Sequence, residues 1–176
     1  MSTSEDSAII ITDVSPNERE ELVPILEDSF EGWYLRHSKR TLSEIGLVRQ
    51  AKVNDERAGL VMLKELGNKL GYVYYIAVAK RFRGKGIGGK LLDSSLTYFF
   101  DRGMQEVYAS VEEDNEDSNR LFHSRDFRKT TRSELAKKYG TINSFVLIRK
   151  MLIVPGEIIL FRKLSPNLDL GNETHS

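Results

Sequence analysis

The most constraining feature of the sequence is a glycine-rich turn between an apolar strand and an amphipathic helix. Residues 72–78 are apolar and aromatic and predict a strand, which a short basic link follows. Gly84, Gly86 and Gly88 come next and open a helix predicted over 86–101. The first turn of a helix has unpaired N–H groups and a partial positive charge. The segment therefore predicts a helix start that binds an anion.

The charges around this turn favour a polyanionic ligand. Five cations without an intervening acid fall within residues 80–90: Lys80, Arg81, Arg83, Lys85 and Lys90. The whole chain has 26 basic and 26 acidic residues, so overall composition does not account for this concentration. The same balance argues against a broad nucleic-acid-binding face. A module that binds single strands or loops through the basic segment is a weaker alternative.

Two well-known phosphate motifs fit these glycines poorly. Gly84, Gly89 and Lys90 have the spacing of a nucleotide P-loop, but Leu91 stands where the magnesium-binding Ser or Thr belongs. Gly84, Gly86 and Gly89 also match the dinucleotide-binding pattern. That fold places its first glycine directly after the strand, whereas here the basic link intervenes.

The N-terminal part of the chain predicts a strand, a capped helix and a further segment. Residues 8–12 are rich in β-branched side chains and predict the strand. Ser15, Pro16 and Glu18 form a capping-box pattern that begins a helix. Four apolar residues share one face of this helix: Leu22, Ile25, Leu26 and Phe30. Residues 32–41 predict either irregular structure or a short second helix.

A three-strand meander and an alternation of helix and strand follow. Strands predicted over 46–53, 58–66 and 72–78 are separated by short turns, so they are expected to pair antiparallel. The remaining predicted elements alternate in type: a strand over 106–111, helices over 118–125, 131–139 and 141–151, and a strand over 157–164. In the last of these helices four apolar residues are expected to be buried: Ile142, Phe145, Val146 and Met151.

One domain is expected over residues 1–165, followed by a polar tail over 166–176, because 176 residues suit a single hydrophobic core. Residues 1–7 lack the features of a secretory signal, and no apolar run approaches the roughly 20 residues of a membrane span. The chain has no cysteine, which suits a reducing compartment, and its three histidines are far apart. We therefore expect a cytoplasmic protein without a metal site.

The pattern Arg83-x-x-Gly86-x-Gly88, with apolar residues 76–78 before it and two leucines after it, resembles the acetyl-coenzyme A motif of the GNAT superfamily of N-acetyltransferases. The order of predicted elements is similar over nearly the whole chain. The resemblance implies an α/β fold of mixed α+β type. Its centre would be a mostly antiparallel sheet of about six to seven strands, flanked by helices. It also implies acetyl-coenzyme A as the cofactor.

The resemblance assigns cofactor contacts residue by residue. Backbone N–H groups of the turn hold the pyrophosphate in that family, a role that falls on the residues we call the glycine turn: Arg83, Gly84, Lys85, Gly86, Ile87, Gly88 and Gly89. The backbone of the preceding strand, here Ile76, Ala77 and Val78, pairs with the pantetheine arm and stabilises the oxyanion. An asparagine that touches the cofactor arm corresponds to Asn115, and a small residue of the next helix to Ser118.

The usual acid–base residues of the family are missing from their positions. A tyrosine beside the thiol in many members corresponds to Phe122, and catalytic glutamates correspond to Tyr72 and Ser110. A thiolate with a parent pKa near 8.5 can leave without a dedicated acid, so deprotonation of the amine is the harder problem. Glu112 is the candidate base, directly or through water, and Tyr74 is the candidate for positioning the amine or acting as acid. A solvated carboxylate and a packed ring are the alternative interpretations.

The expected function is transfer of the acetyl group of acetyl-coenzyme A to a primary amine by direct attack. A protein N-terminus, a lysine or a small amine are the acceptors considered, and a homodimer is the assembly considered. Five residues are expected to line the acceptor pocket: Trp33, Tyr34, His37, Lys39 and Arg40. A catalytically silent sensor or interaction domain that binds coenzyme A is the main alternative, since the usual catalytic residues are missing.

Overall fold

Seven strands form one sheet in the computed structural model, which describes residues 8–165. The strands are β1 (Ile9–Asp13), β2 (Leu47–Val53), β3 (Glu56–Gly67), β4 (Leu70–Val78), β5 (Glu106–Glu112), β6 (Arg128–Thr130) and β7 (Glu157–Lys163). The α-helices are α1 (Val23–Ser29), α2 (Gly32–Glu44), α3 (Ile87–Asp101), α4 (Glu116–His123), α5 (Arg132–Tyr139) and α6 (Thr141–Met151). The expected polar tail at 166–176 and the segment 1–7 lie outside the described residues, so the single-domain boundaries stay a prediction.

The sheet has the spatial order β1-β2-β3-β4-β5-β7-β6. All neighbouring strands pair antiparallel except β4 and β5, which are parallel. The prediction of a mostly antiparallel sheet with flanking helices is therefore confirmed. β6 was not predicted from the sequence, because two of its three residues are exposed and give no apolar pattern.

β4 separates from β5 after a short stretch of pairing. Only Leu70–Val73 pairs with β5, so the second half of β4 leaves a gap between the two strands. A β-bulge lies at the point of separation: Met62 of β3 faces Tyr75 and the next residue of β3 faces Val73. Tyr74 is the extra residue of this bulge. Bulges bend a strand and increase its twist, which fits the divergence of β4 from β5.

Local capping signals predicted two helix starts correctly. The Glu18 carboxylate accepts hydrogen bonds from the Ser15 N–H (3.2 Å) and the Ser15 hydroxyl (2.6 Å). The helix begins as a 3₁₀ turn over Pro16–Leu22 and continues as α1. At the start of α5, the N–H of Glu134 donates to Thr131 (3.2 Å) and the Glu134 carboxylate accepts from the Thr131 N–H (2.8 Å). The segment left open between irregular structure and helix forms α2.

The expected burial of α6 was wrong for three of four residues. Ile142 is 80% exposed, Phe145 66% and Val146 45%, whereas Met151 is buried as expected. The buried side chains of α6 are Ser144, Leu147 and Met151. Apolar residues occupy more than one stripe of this helix, so periodicity alone cannot identify the stripe that faces the core.

The two faces of the sheet have separate hydrophobic cores. The larger one contains α1 and α3 with residues such as Leu26, Leu91, Leu92 and Phe99. The smaller one lies under α5 and α6, and its members are Leu66, Leu70, Tyr72, Tyr108, Leu135, Leu147, Met151 and Ile159. Within residues 8–165 no helix is long and apolar enough to cross a membrane.

Candidate active site

The gap between β4 and β5 opens into a cleft of about 620 Å³. The glycine turn lies at one end of the cleft, and aromatic residues of α2 and β4 lie at the other. All residues predicted to bind the cofactor or to act in catalysis, except Lys85, line it: Tyr74, Ile76, Ala77, Val78, Arg83, Gly84, Gly86, Ile87, Gly88, Gly89, Glu112, Asn115, Ser118 and Phe122. Residues chosen from separate parts of the sequence thus share one cleft.

The second half of β4 presents backbone groups to this gap, where the Val78 carbonyl accepts hydrogen bonds from Arg83 (3.1 Å) and Ser29 (3.4 Å). The N–H of Ala79 donates to the carbonyl of Ala58 (2.9 Å), which marks a hydrogen-bonded pair on the β3 side. Backbone groups in antiparallel pairs alternate between facing the partner and facing away. Val78, opposite Gly59, and Ile76, two residues earlier, are therefore non-hydrogen-bonded positions. Their N–H and C=O groups point away from β3, toward the gap.

The glycine turn leaves the first N–H groups of α3 accessible. Gly84 and Gly86 have φ angles of 73° and 76°, a conformation that glycine adopts without steric cost. The first intrahelical hydrogen bond runs from the N–H of Lys90 to the carbonyl of Gly86 (3.1 Å). The N–H groups of residues 87–89 precede it and have no helical partner. A Cβ on Gly84 or Gly86 would meet no atom within 4 Å, so open space surrounds the turn.

The two cationic side chains of the glycine turn already contact other groups of the protein. The Arg83 guanidinium donates to the carbonyls of Val78 (3.1 Å) and Asp28 (3.0 Å), and so ties α1 to the end of β4. Lys85 does not line the cleft; its ammonium lies 5.4 Å from the centre of the Phe82 ring. Any contact of Arg83 or Lys85 with a diphosphate would therefore use the backbone.

Gly89 and Ala77 also have structural reasons for their identity. A Cβ on Gly89 would lie 2.3 Å from Nη2 of Arg125, whose guanidinium forms two hydrogen bonds with the Asp93 carboxylate (3.0 and 3.1 Å). This pair joins the end of α4 to α3. Ala77 is buried, and the alternation along β4 directs its backbone groups to β3.

α4 contributes the far wall of the cleft. The Asn115 side chain accepts a hydrogen bond from the N–H of Ser118 (3.0 Å) and caps the helix. Phe122 is buried and packs edge-to-face on Phe127, with ring centroids 5.0 Å apart. Leu121 lines the cleft beside Gly88. The wall next to the predicted thiol position is therefore apolar.

Three of the five residues expected in the acceptor pocket line the cleft, and their role in binding the acceptor stays a prediction. Trp33, Tyr34 and His37 line the cleft, but the two cations of α2 point elsewhere. Lys39 pairs with Glu27 (2.6 Å) and Arg40 with Glu44 (3.0 Å). Glu27 lies on α1, and Glu44 lies one turn further along α2. Both cations therefore form surface ion pairs outside the cleft.

Two carboxylates face the acceptor end of the cleft. Glu112 ends β5 and is directly opposite Glu157, which begins β7. The Tyr34 hydroxyl donates to Glu157 (3.1 Å), whose other carboxylate oxygen accepts from the N–H of Val154 (3.1 Å). Burial, with a smaller effect of the Glu157 charge, raises the pKa of Tyr74 to about 12. Proton donation from such a phenol to a thiolate of pKa near 8.5 is uphill, so Tyr74 suits amine positioning better than acid catalysis.

Sequence reasoning missed several cleft residues. Tyr75 lines the cleft beside Tyr74 because the bulge breaks the strict alternation of faces. Glu157, Met151 and Leu152 reach the cleft from the C-terminal part of the chain, and no local motif marks them. Tyr72 and Ser110, at the two positions where relatives have a catalytic glutamate, form a hydrogen bond with each other (2.8 Å). The Tyr72 hydroxyl also donates to the Met151 carbonyl (3.0 Å), so these two residues have a structural role.

A cleft that combines an unpaired strand edge with an open helix start can bind an extended ligand that carries a diphosphate or another anion at one end. The particular family follows from comparison with known proteins. The family described as acetyltransferase (GNAT) matches residues 12–127, more than half of the chain. The chain therefore belongs to the acetyltransferase (GNAT) family.

The chain is also similar in sequence or in fold to several named proteins. The chain is 40% identical to N-alpha-acetyltransferase 30 of Schizosaccharomyces pombe over 67 residues, which cover 36% of this chain and 45% of that protein. Less than half of that relative therefore corresponds to this chain. The fold is similar to ribosomal-protein-S18-alanine N-acetyltransferase of Escherichia coli (TM-score 0.67, 16% identity, 92% of this chain and 99% of that one). It is also similar to PaiA N-acetyltransferase of Thermoplasma acidophilum in complex with coenzyme A. The TM-score is 0.66 and the sequence identity is 14%, and the match covers 89% of this chain and 99% of that one.

Proposed function

We propose that this acetyltransferase acts on a primary amine by direct attack, without a covalent enzyme intermediate. One observation carries the proposal. The free edge of β4 runs from the glycine turn to the pair of carboxylates Glu112 and Glu157, so one cleft joins an anion site to a site for a cationic amine. The carboxylates attract an ammonium group, whereas an acceptor with an acidic nucleophile would be repelled.

The cleft fits coenzyme A by its own chemistry. The N–H groups of residues 87–89 would hold the diphosphate, where the glycines leave no Cβ in the way. The outward N–H and C=O groups of Ile76 would pair with the amide-bearing pantetheine arm. When bound, acetyl-coenzyme A supplies the activated acetyl group. The N–H of Val78 is the donor best placed to stabilise negative charge on the acetyl oxygen.

An α-amine is the acceptor that we favour over a lysine. At pH 7 roughly 10% of α-amines with a pKa near 7.9 are uncharged, against roughly 0.04% of lysines. Among the described residues that line the cleft, the groups able to accept a proton are carboxylates and the His37 imidazole, which are weaker bases than a lysine amine. The names of two relatives, an N-alpha-acetyltransferase and a ribosomal-protein-alanine N-acetyltransferase, are consistent with an α-amino acceptor.

Several expectations from the sequence stay predictions. Glu112 as base and Tyr74 as a positioning group or acid have the location that these roles require, since both line the cleft. The cytoplasmic location, the lack of a nucleic-acid partner and the homodimer also stay predictions. Within residues 8–165 there is no cluster of three His, Cys, Asp or Glu that could hold a metal ion.

The cofactor half of the proposal can be tested by calorimetric titration with coenzyme A. Gly88→Glu places a carboxylate at the neck of the cleft, between Leu121 and Val78. We expect it to weaken binding at least about tenfold, because the added charge repels the diphosphate. Gly46→Glu adds the same charge at an exposed glycine outside the cleft and is expected to bind like the wild type. Equal affinities of both variants would contradict the assigned diphosphate site.

The acceptor half can be tested by thiol release. Wild-type protein and acetyl-coenzyme A are incubated with three panels: peptides with a free N-terminus, N-terminally blocked lysine peptides, and small amines. We expect release with primary amines and the highest kcat/KM with free N-termini at pH 7. Coenzyme A binding without release on any panel would show that the acceptor is not one of these amines.

A further inference from the structure

His37 is held in a fixed orientation at the acceptor end of the cleft. Its ring is nearly parallel to two aromatic rings: it stacks on Trp33 (centroids 4.7 Å apart, planes 12° apart) and lies near Tyr74 (centroids 6.0 Å apart, planes 19° apart). Aromatic packing therefore restricts the imidazole, and its hydrogen bonds are made at the ring edge. A ring that is fixed in this way can exchange a proton with a bound molecule in a defined direction, which a freely moving surface histidine cannot do.

The two nitrogens of His37 have different surroundings. Nδ1 lies 2.8 Å from the hydroxyl of Tyr75, with the Thr41 hydroxyl at 3.5 Å. In the part of the chain that the structure describes, no residue forms a hydrogen bond with Nε2. Because the ring lines the cleft, Nε2 is the nitrogen available to a bound acceptor.

The environment keeps the imidazole uncharged at neutral pH. Burial and the nearby charge of Arg40 lower the pKa of His37, while Glu157 and Glu44 act in the opposite direction with smaller effect. Burial raises the pKa of Tyr75 and, with the Glu157 charge, that of Tyr74, so both phenols stay protonated. A neutral imidazole beside a protonated phenol can accept one proton.

We infer that Nε2 of His37 accepts the proton that the acceptor amine loses, and that Tyr75 orients the ring by accepting a hydrogen bond from Nδ1–H. The inference rests on the proposed amine transfer and gives the role of base to His37 instead of Glu112. As the amine nitrogen bonds to the acetyl carbon and the C–S bond breaks, the amine proton moves to Nε2. The imidazolium then releases it to solvent, from which the departing thiolate takes a proton, so the products are the amide and the free thiol.

His37→Gln removes the base but keeps a polar side chain of similar reach. We expect kcat with a free N-terminal peptide to fall ~10²–10⁴-fold, the usual contribution of a general base. The acidic limb of the kcat–pH profile, which reports the base in the enzyme–substrate complex, is expected to disappear. Coenzyme A affinity should stay within twofold of the wild-type value, because the ring is at the acceptor end of the cleft.

Tyr75→Phe tests the positioning role without removing the aromatic ring. Loss of the acceptor at Nδ1 destabilises the imidazolium, so the acidic limb should shift to lower pH while kcat on its plateau falls less than in His37→Gln. Glu113→Gln is the matched control, because it removes an exposed carboxylate that does not line the cleft, and it should keep both the limb and kcat. Glu112→Gln tests the rival base, and the acidic limb should persist in this variant.

The outcomes separate this inference from the proposed function. An active wild type whose acidic limb persists in His37→Gln and vanishes in Glu112→Gln would overturn the assignment of the base and leave amine transfer intact. A wild type that binds coenzyme A but acetylates no amine would overturn both. Loss of coenzyme A binding in His37→Gln would also overturn the inference, because the residue would then act on the fold or the cofactor.

Discussion

At the scale of single residues, the space beside a glycine decides whether a methyl group can be added. A Cβ on Gly71 of β4 would lie 2.6 Å from the ring of Phe99, a fully buried side chain of α3. A packed aromatic ring cannot move aside cheaply. We therefore expect Gly71→Ala to lower the free energy of unfolding by about 1–3 kcal/mol, the usual cost of overpacking a core. Urea unfolding followed by circular dichroism measures this difference.

Gly89→Ala is the instructive contrast, because the three atoms nearest to its Cβ would all belong to the flexible end of the Arg125 side chain. Moving that guanidinium weakens its exposed pair with Asp93, which is worth about 0–1 kcal/mol. Replacing glycine with alanine in a helix increases the free energy of unfolding by about 0.5–1 kcal/mol. The two effects offset, so the unfolding free energy should change by less than about 1 kcal/mol. A loss as large as that of Gly71→Ala would show that Arg125 is held more rigidly than its exposure indicates.

At the scale of elements, the sequence predicted those caps and turns that are formed by residues close together in the chain. The cap of Ser15 with Glu18 and the turn between β2 and β3 are local, and both were found in place. The bulge at Tyr74 depends on the register of β3 against β4, so no pattern within β4 predicts it. The exposure of Ile142 likewise depends on how α6 packs against the sheet and α5, which the spacing of its apolar residues leaves undetermined.

A buried carboxylate joins α5 to β5. Glu106 accepts hydrogen bonds from Tyr108 (2.9 Å), Tyr139 and Lys138, and its side chain is 9% exposed. Burial alone would raise its pKa, but the hydrogen bonds from Lys138, Tyr139 and Tyr108 and the charge of Lys138 together lower it below 4.5. The resulting stabilisation is present above the unfolded-state pKa and is lost as the pH falls through the lower, folded-state pKa.

Glu106→Gln should therefore destabilise the protein by about 1–3 kcal/mol at pH 7, the usual cost of losing a charged partner from a buried hydrogen-bond network. The difference from the wild type should shrink as the pH is lowered from 5 toward 3. Urea midpoints measured at several pH values test this. Glu113→Gln, which removes an exposed carboxylate paired with Lys129 (2.9 Å), should change stability by less than about 1 kcal/mol. If the difference in stability between the wild type and Glu106→Gln does not vary with pH, the charge of the Glu106 carboxylate does not stabilise the fold.

At the scale of the whole molecule, the two halves of the cleft differed in how far the sequence revealed them. The cofactor half is nearly contiguous, because β4, the glycine turn and α3 follow one another along the chain. The acceptor half is assembled from α2, β4, β5, the end of α6 and β7. Glu157 is 45 residues beyond Glu112 in the chain but opposite it in the sheet, so only the strand order brings them together.

The pH dependence of acceptor choice follows from the absence of a strong base in the assembled cleft. If only uncharged amines react, the preference for an α-amine over a lysine should follow their free-base fractions, a ratio of ~250 at pH 7 and ~25 at pH 9. We therefore expect the ratio of kcat/KM for a free N-terminal peptide to that for its N-terminally blocked lysine counterpart to fall about tenfold between these values. Thiol release on a matched peptide pair measures it. A ratio that stays constant would show that cleft contacts, rather than amine ionisation, select the acceptor.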